Sequence, residues 1–324
     1  MKCAVIVGYG SMGRRRIRIM KSLVPGIEIV CVDQNPERVQ AAKNDGYISV
    51  LTLEESYQYK PEIGFVCTSP GHHAEIILEL LQHGISVFTE LNLIPDKYDE
   101  ILTTSKENSA KVFMSSTMLY DKQVKTILDE IKEIKEPLSY IYHIGQYLPD
   151  WHPWESYKNF FIGRKKTNGI REIYAIQLPW IIKAFGKVEH VSSLAQKQTA
   201  LKIDYKDSFI ASFQHENGNQ GVFVADVVSR DAVQYLEIIG EDVYIRWNGQ
   251  PDGLFSFDKE KREMKNLLTY EHSEHIEGYA SNIYENEYVD EVQAFLDFVE
   301  NGKEPLYTLE DDRYILSLID DIGA

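Results

Sequence analysis

Three glycines stand at positions 8, 10 and 13 in "GYGSMGRRR", directly after the apolar run "CAVIV". A G-x-G-x-x-G spacing answers three steric demands. The first glycine allows a tight turn, the second lets a pyrophosphate approach the backbone, and the third lets a helix pack closely on a strand. The phosphates then accept hydrogen bonds from amides at the helix N-terminus. The bare pattern is weak evidence. Here a strand precedes it, a helix follows it, and Asp33 ends a second strand about 20 residues on. In that context Gly8, Gly10, Ser11, Met12 and Gly13 are candidates to cradle a dinucleotide, with Asp33 and Gln34 at its adenosine ribose. A carboxylate there accepts from the ribose and repels a 2′-phosphate, which favours NAD over NADP. Arg38, one turn into the following helix, points the other way, since it suits a stack on adenine or a phosphate. Arginines at 14, 15, 16 and 18 crowd the first turns, where cations oppose the helix dipole unless an anion is bound. Arg14 is expected to meet that anion, and part of the cluster to form a solvated face.

The elements that must position these residues are legible as changes of period. "KCAVIVG", "IEIVCVD", "EIGFVCTS", "SVFTE" and "KVFMSS" read as short buried strands. Between them lie helical stretches, among them Ser11 to Leu23, "NPERVQAAKNDG" with Asn35 as N-cap and Pro36 behind it, and "GHHAEIILELLQHG". Strands alternating with helices imply right-handed crossovers and a doubly wound parallel sheet. After about Thr117 the strands lengthen and alternate, and "HENGNQG" marks a hairpin. The expected division is a dinucleotide-binding domain over residues 1–118 and an α+β domain with a mostly antiparallel sheet over 119–324.

Composition narrows the function classes. A chain of 324 residues exceeds what one core usually serves, in keeping with two domains. The net charge of −16 argues against binding nucleic acid or an anionic membrane. No apolar run approaches the roughly 20 residues of a membrane span. A strand begins almost at Met1, which leaves no room for a signal peptide. Cys3, Cys31 and Cys67 each fall in an apolar run, which suits a reducing cytoplasm. His272 and His275 in "EHSEH" stand three apart without a third ligand at a suitable spacing, so they read as polar surface and no metal is expected.

"GYGSMG", "VDQNPER" and "CTSPGHHAEIILELLQHGISVFTELNL", followed by an α+β domain, resemble the glucose–fructose oxidoreductase/inositol dehydrogenase/MocA (Gfo/Idh/MocA) family. "YVDEVQAFLDFVENGKEPLYTLEDDRYILSLI" resembles that family's closing helices. The resemblance implies NAD(P)-dependent hydride transfer at a sugar or cyclitol carbon, in a homodimer or homotetramer formed through the second domain's sheet. It assigns Thr68, Ser69 and His73 to the segment that lines the cofactor. It matches Glu90 to the glutamate of a Glu-Lys-Pro motif near the nicotinamide ribose, and puts Leu91 and Asn92 in place of the lysine and proline. Asn92 is kept among the cofactor-lining candidates. Further on, Ile173 stands where the family has an aspartate and Gln177 where it has a proton-transferring histidine. The family's usual acid/base set is absent.

The replacement is sought in residues 143–180, the most chemically dense stretch of the chain. An alcohol oxidation needs a base with a pKa near the working pH. His152, Glu172 and Tyr174 are the catalytic candidates, with His143 also suited by pKa. Glu172 would need its pKa raised by burial and Tyr174 would need its pKa lowered by a cation. Gln146, Tyr147, Trp151, Arg164, Arg171 and Gln177 are the substrate candidates, the tryptophan for a sugar face and the arginines for a phosphate or carboxylate. Trp154, Lys165 and Lys166 lie in the same stretch. Three readings stay open: an oxidoreductase of a sugar, nucleotide sugar or sugar acid with a non-standard acid/base set; a protein of the same fold that binds nucleotide without turnover; and a reductase of a C=N or C=C bond, like the biliverdin reductase relatives.

Overall fold

The apolar run at the N-terminus is β1 (Cys3–Val7), buried at every position. The computed structural model describes residues 1–151, 156–269 and 285–324. From β1 the chain alternates through α1 (Ser11–Leu23), β2 (Glu28–Val32), α2 (Pro36–Asn44), β3 (Ile48–Val50), α3 (Leu53–Ser56), β4 (Ile63–Val66), α4 (His73–Gln82), β5 (Ser86–Thr89), α5 (Tyr98–Glu107) and β6 (Val112–Met114). All six strands are parallel, in the order β3-β2-β1-β4-β5-β6. The order reverses between β1 and β4, and ligands of such sheets bind beyond the strand ends at that point. Asn35 caps α2 as its sequence suggests, its side-chain oxygen accepting the Glu37 amide at 2.9 Å. β3 is a three-residue edge strand, too short to show a period.

The remaining elements are α6 (Lys122–Ile131), β7 (Ser139–Gly145), α7 (Gly169–Phe185), β8 (Val188–Gln196), β9 (Ser208–His215), β10 (Gln220–Asp226), β11 (Val233–Ile239), β12 (Tyr244–Trp247), β13 (Leu254–Asp258), β14 (Glu263–Asn266), α8 (Asn286–Asn301) and α9 (Leu309–Ile322). Eight strands form the second sheet, in the order β14-β13-β12-β11-β7-β10-β9-β8. β7 and β10 pair in parallel and every other neighbour is antiparallel. The "HENGNQG" segment is the turn from β9 to β10, with Gly218 at a φ of 88°.

By their contacts, residues 1–116 and 288–313 form one unit, and 117–287 with 314–324 a second. In unit 1 the rings of Phe65, Phe88 and Phe113 stack across β4, β5 and β6 at 5.2 Å. Phe295 of α8 meets all three edge-on, at 5.4 to 5.7 Å. The late helix thus completes a core begun by the first strands. In unit 2, α7 covers the inward side chains of the sheet: Trp180 meets Tyr142 at 5.3 Å and Tyr174 meets Phe223 at 4.9 Å. The opposite face leaves Ile141, Ile210 and Leu194 exposed.

Candidate active site

The three loop glycines do different work. Gly8 has a φ of +101°, and a Cβ there would lie 2.7 Å from the Cys67 carbonyl oxygen. A Cβ on Gly13 would lie 2.0 Å from the carbonyl oxygen of Gly8. Both are demanded by the fold itself. A Cβ on Gly10 would meet nothing within 4 Å, so no atom of the described residues explains this glycine. Gly10 is also the N-cap of α1 and gives the first-turn amides no side-chain acceptor. An open cradle with unanswered amides fits a pyrophosphate. Ser11 is exposed and Met12 half-buried beside it.

Asp33 faces this loop. Its Oδ2 accepts the Tyr9 amide at 2.8 Å and its Oδ1 the Asn35 amide at 2.9 Å. A carboxylate has acceptor sites to spare after two such bonds. Gln34 is exposed. Arg38 is exposed, its Nη1 3.7 Å from Asp33. The Tyr9 ring is buried and its hydroxyl donates to Asp45. The guanidinium of exposed Arg14 lies 4.6 Å over that ring.

Two of the four arginines, Arg15 and Arg16, turn inward, while Arg14 and Arg18 stay exposed. Helical phase puts Arg16 on the stripe of Gly13, Ile17 and Met20, which faces the core. Arg16 is fully buried and donates to Glu90 through Nε at 2.6 Å and Nη2 at 3.1 Å. The same Nη2 donates to Glu291 of α8 at 2.9 Å. Glu291 also accepts from the Ser115 hydroxyl and the Ser116 amide, at 2.9 and 2.7 Å. Arg15 is buried with its guanidinium 4.1 Å over Tyr288. The Glu90 carboxylate, at the carboxyl end of β5, is therefore held from beneath by α1.

At the carboxyl end of β4, Thr68 is half-buried, with its Oγ1 sealed from solvent and without a hydrogen-bond partner. Ser69 is exposed. His73 is buried, with Nε2 2.8 Å from the Thr68 carbonyl and Nδ1 2.6 Å from Asn92 Oδ1. Burial works against charge on this ring and pulls it below the ordinary histidine range; the bonds to Thr68 and Asn92 and the charge of Glu90 pull the other way.

Unit 2 carries a second set. Gln177 is locked: its Oε1 accepts from the Tyr142 hydroxyl at 2.7 Å and the Trp180 indole at 2.8 Å. Ile173 is buried. Tyr174 points into the helix–sheet core, where burial drives its phenol far above the neutral range and its hydroxyl has no partner. The lowered pKa that a tyrosine base requires is not what its surroundings give. Glu172 keeps some surface, but its Oε2 is sealed and unpartnered. Burial pushes its carboxyl up to about 8.

Around the start of α7, the Trp151 indole donates to the Gln146 carbonyl at 3.0 Å, and Arg230 lies 3.7 Å over the Tyr147 ring. Arg164, Lys165 and Lys166 are exposed just before the helix. Arg171 is buried and bonded to Asp320 at 2.6 Å and to the Ala324 carbonyl at 3.1 Å. His143 Nε2 bonds Asp226 at 2.7 Å. Burial raises Asp226, but the hydrogen bonds from His143 and from the Val228 and Ser229 amides outweigh it and hold the carboxyl below the usual range. His152, Trp154, His272 and His275 lie outside the described residues. Among the described residues no group of three potential ligands could hold a metal, and no helix is long and apolar enough to cross a membrane.

The family model described as "Oxidoreductase family, NAD-binding Rossmann fold" (Gfo/Idh/MocA) matches residues 2–116. Those residues are similar to the NAD-binding domain of the Gfo/Idh/MocA family. No curated protein matches its sequence. Solved structures match over nearly the whole length. An oxidoreductase from Agrobacterium radiobacter in complex with NAD+, L-tartaric acid and magnesium has a TM-score of 0.81 at 13% identity, over 98% of this chain and 94% of that one. The WlbA dehydrogenase from Bordetella pertussis, in complex with NADH and UDP-GlcNAcA, has 0.79 at 16% identity, over 100% and 96%. Biliverdin reductase from Synechocystis, with biliverdin and NADP+, has 0.76 at 15% identity, over 99% and 98%. At these identities the likeness shows a shared fold.

The residues that sequence reasoning missed are Arg16 and Glu291. The signal for Arg16 was available: a cation in phase with Gly13, Ile17 and Met20 has to be buried, and a buried cation needs carboxylates. Nothing local signals Glu291, which lies 275 positions from its partner.

Proposed function

We propose that this protein transfers a hydride between NAD(H) and a hydroxyl-bearing carbon of a sugar, nucleotide sugar or sugar acid, with Glu172 as the proton-transfer group. The observation that carries the reading is the Glu172 carboxyl, pushed up to about 8 by burial with Oε2 unanswered. A carboxyl in that range both takes and returns a proton near neutral pH. A bound nicotinamide supplies or accepts the hydride. Gly8, Gly10, Ser11, Met12 and Gly13 would hold its pyrophosphate, Asp33 and Gln34 its adenosine ribose, and Thr68, Ser69, His73, Glu90 and Asn92 its other half. NAD is favoured over NADP by the Asp33 carboxylate, which the Tyr9 and Asn35 amides aim. Trp151, Tyr147 and Gln146, with the exposed cations Arg164, Lys165 and Lys166, suit an anionic sugar. Relatives crystallised with UDP-GlcNAcA and with L-tartaric acid support that substrate class. The cofactor part would be residues 1–118 with the 288–313 segment that packs in the same unit, and the substrate part the rest of 119–324. The exposed Ile141, Leu194 and Ile210 favour pairing with a second copy through the sheet, and three free cysteines suit the cytoplasm.

The test is Glu172→Gln. With a panel of polyols, sugar acids and nucleotide sugars, followed at the nicotinamide absorbance band, the variant should lose about 100- to 10,000-fold in kcat and bind NADH as the parent does. Parental rates in the variant would remove Glu172 from the mechanism. Silence of the parent on every substrate would favour the second reading, a nucleotide-binding protein without turnover. That reading is supported by Leu91 at the family's lysine and by the locked Gln177 at its histidine.

A further inference from the structure

β7 and β10 are the parallel pair of the second sheet, so their carboxyl ends lie side by side. β10 leaves the sheet through a turn that is held from within. The buried Asp226 carboxylate accepts the Val228 and Ser229 amides on Oδ1, at 2.9 and 2.7 Å. Its Oδ2 accepts the Ser229 hydroxyl at 3.0 Å and lies 2.7 Å from His143 Nε2. The turn also lies across Gly145, where a Cβ would overlap Asp226 Oδ2 and stand 2.8 Å from the Ser229 hydroxyl. Four partners of one carboxylate and a glycine thus fix the backbone as far as Ser229, and the next residue is Arg230.

Arg230 is exposed, yet its side chain has a resting place. Its guanidinium lies 3.7 Å over the ring of Tyr147, two residues beyond β7. Stacking covers one face of the guanidinium plane and leaves its N–H edges uncovered. Among the described residues no acceptor answers those N–H groups. The pair stands at the same end of unit 2 as Glu172. Leu148, next to Tyr147, and Val227, at the head of the turn, both pack on the first residue of α7. A Cβ on Gly169 would lie 3.3 Å from Leu148 and 3.1 Å from Val227. Glu172 follows on the same helix, less than one turn later. We propose that Arg230, laid on Tyr147, receives a carboxylate of the substrate and so selects sugar acids over neutral sugars. This rests on the substrate reading above and narrows it.

Shape and charge both favour a carboxylate. The guanidinium fork matches two carboxylate oxygens. Arg230 is a single cation with the Asp226 carboxylate four residues back and exposed Asp231 beside it. A monoanion is met charge for charge, whereas a phosphate dianion would leave a negative charge facing those acids. The Tyr147 ring and the fixed turn already order the arginine, so little side-chain freedom is lost on binding. Among the described residues no ring supports Arg164, Lys165 or Lys166 in this way.

Two matched pairs of probes test this on the full chain: D-glucuronate against D-glucose, and UDP-glucuronate against UDP-glucose. Within each pair a carboxylate replaces a hydroxymethyl group and nothing else changes. Phenylglyoxal labels exposed arginines, and mass spectrometry reads the peptide that carries Arg230. At least one acid should slow the labelling of Arg230 several-fold while its neutral partner does not. Labelling that neither acid slows overturns the proposal, and so does equal protection by an acid and its neutral partner. Glucose 6-phosphate should protect less than glucuronate; equal or better protection overturns the carboxylate assignment. Kinetics at the nicotinamide band supply the second measurement. Arg230→Met should cut the ratio of kcat/KM for the acid to that for its neutral partner by about tenfold or more, the range for a lost charge-assisted pair, with the loss in KM rather than kcat. Tyr147→Leu keeps the charge but removes its support, and should lose part of the same preference. An Arg230→Met that weakens acid and neutral partner by the same factor marks the arginine as scaffolding and sinks the proposal. A parent that shows the protection but turns over nothing strikes the hydride-transfer reading and leaves the carboxylate site standing.

Discussion

In unit 1 the charge of buried Arg16 is answered by carboxylates, although its Nη1 is sealed without a hydrogen-bond partner. Arg16 is clasped by Glu90 and Glu291, and Glu291 by two further donors from the end of β6. In unit 2 the carboxyl of Glu172 keeps a sealed oxygen without a partner, and the Tyr174 hydroxyl does the same. The difference separates two kinds of polar burial. A group held by partners of opposite charge keeps its protonation state and stiffens what it touches. A carboxyl buried without them has a pKa moved by desolvation alone and can change state near neutral pH, whereas a phenol so buried stays neutral. The first kind suits a platform for a ligand and the second suits chemistry.

Substitutions can break that comparison at several points. Arg16→Met would leave two buried carboxylates facing each other and should cost about 3–5 kcal/mol of stability. A urea midpoint equal to the parent's would mean that the clasp stabilises nothing. Glu172→Gln should do the opposite. Because the native carboxyl is raised to about 8, the parent binds the proton more tightly folded than unfolded, and it loses stability as pH rises from the ordinary glutamate range to about 8. The variant should match the parent near pH 4 and exceed it near pH 9 by a few kcal/mol, on the order of that shift. Coincident pH–stability curves would show that Glu172 finds a partner in solution.

The loop glycines sharpen the same contrast on a smaller scale. Gly10→Val should lower stability only by the cost of a poor N-cap, about 1 kcal/mol, since its Cβ has open space, yet weaken NADH binding tenfold or more, about 1.4 kcal/mol. Undiminished NADH affinity by calorimetry would exclude this loop as the cradle. The smallest effect is expected from Asp33→Asn, which should narrow the preference for NAD over NADP by about 1 kcal/mol. A parent that already prefers NADPH would point to Arg38 or Arg14 as holder of the extra phosphate.

The parallel sheet was legible because each of its buried strands is a continuous apolar run between helix signals, as in "CAVIV" and "IGFV". The cap at Asn35 and the turn before Gln220 were legible for local reasons of the same kind. Which arginines of the cluster face solvent was not read from the sequence, although helical phase turns Arg15 and Arg16 inward. Glu90 was legible as a position but not as half of an ion pair, since its cation lies on a different element and the second carboxylate comes from α8. In unit 2, Glu172 could be named, but whether burial would raise it or a neighbouring cation lower it depends on packing that no spacing encodes.

Unit 1 is finished by residues that leave the ribosome late. Phe295 caps the row of Phe65, Phe88 and Phe113, and Glu291 closes on Arg16 across 275 positions of chain. Synthesis delivers the six parallel strands first, yet it must deliver nearly the whole of unit 2 before α8 appears. Until then an aromatic patch stays open and a buried arginine lacks one of its two carboxylates. Contacts this distant in sequence close slowly, because the loop entropy is lost before the contact is gained. Nascent unit 1 is therefore the part of this protein with the longest exposure to chaperones and proteases, although it is the first to be made.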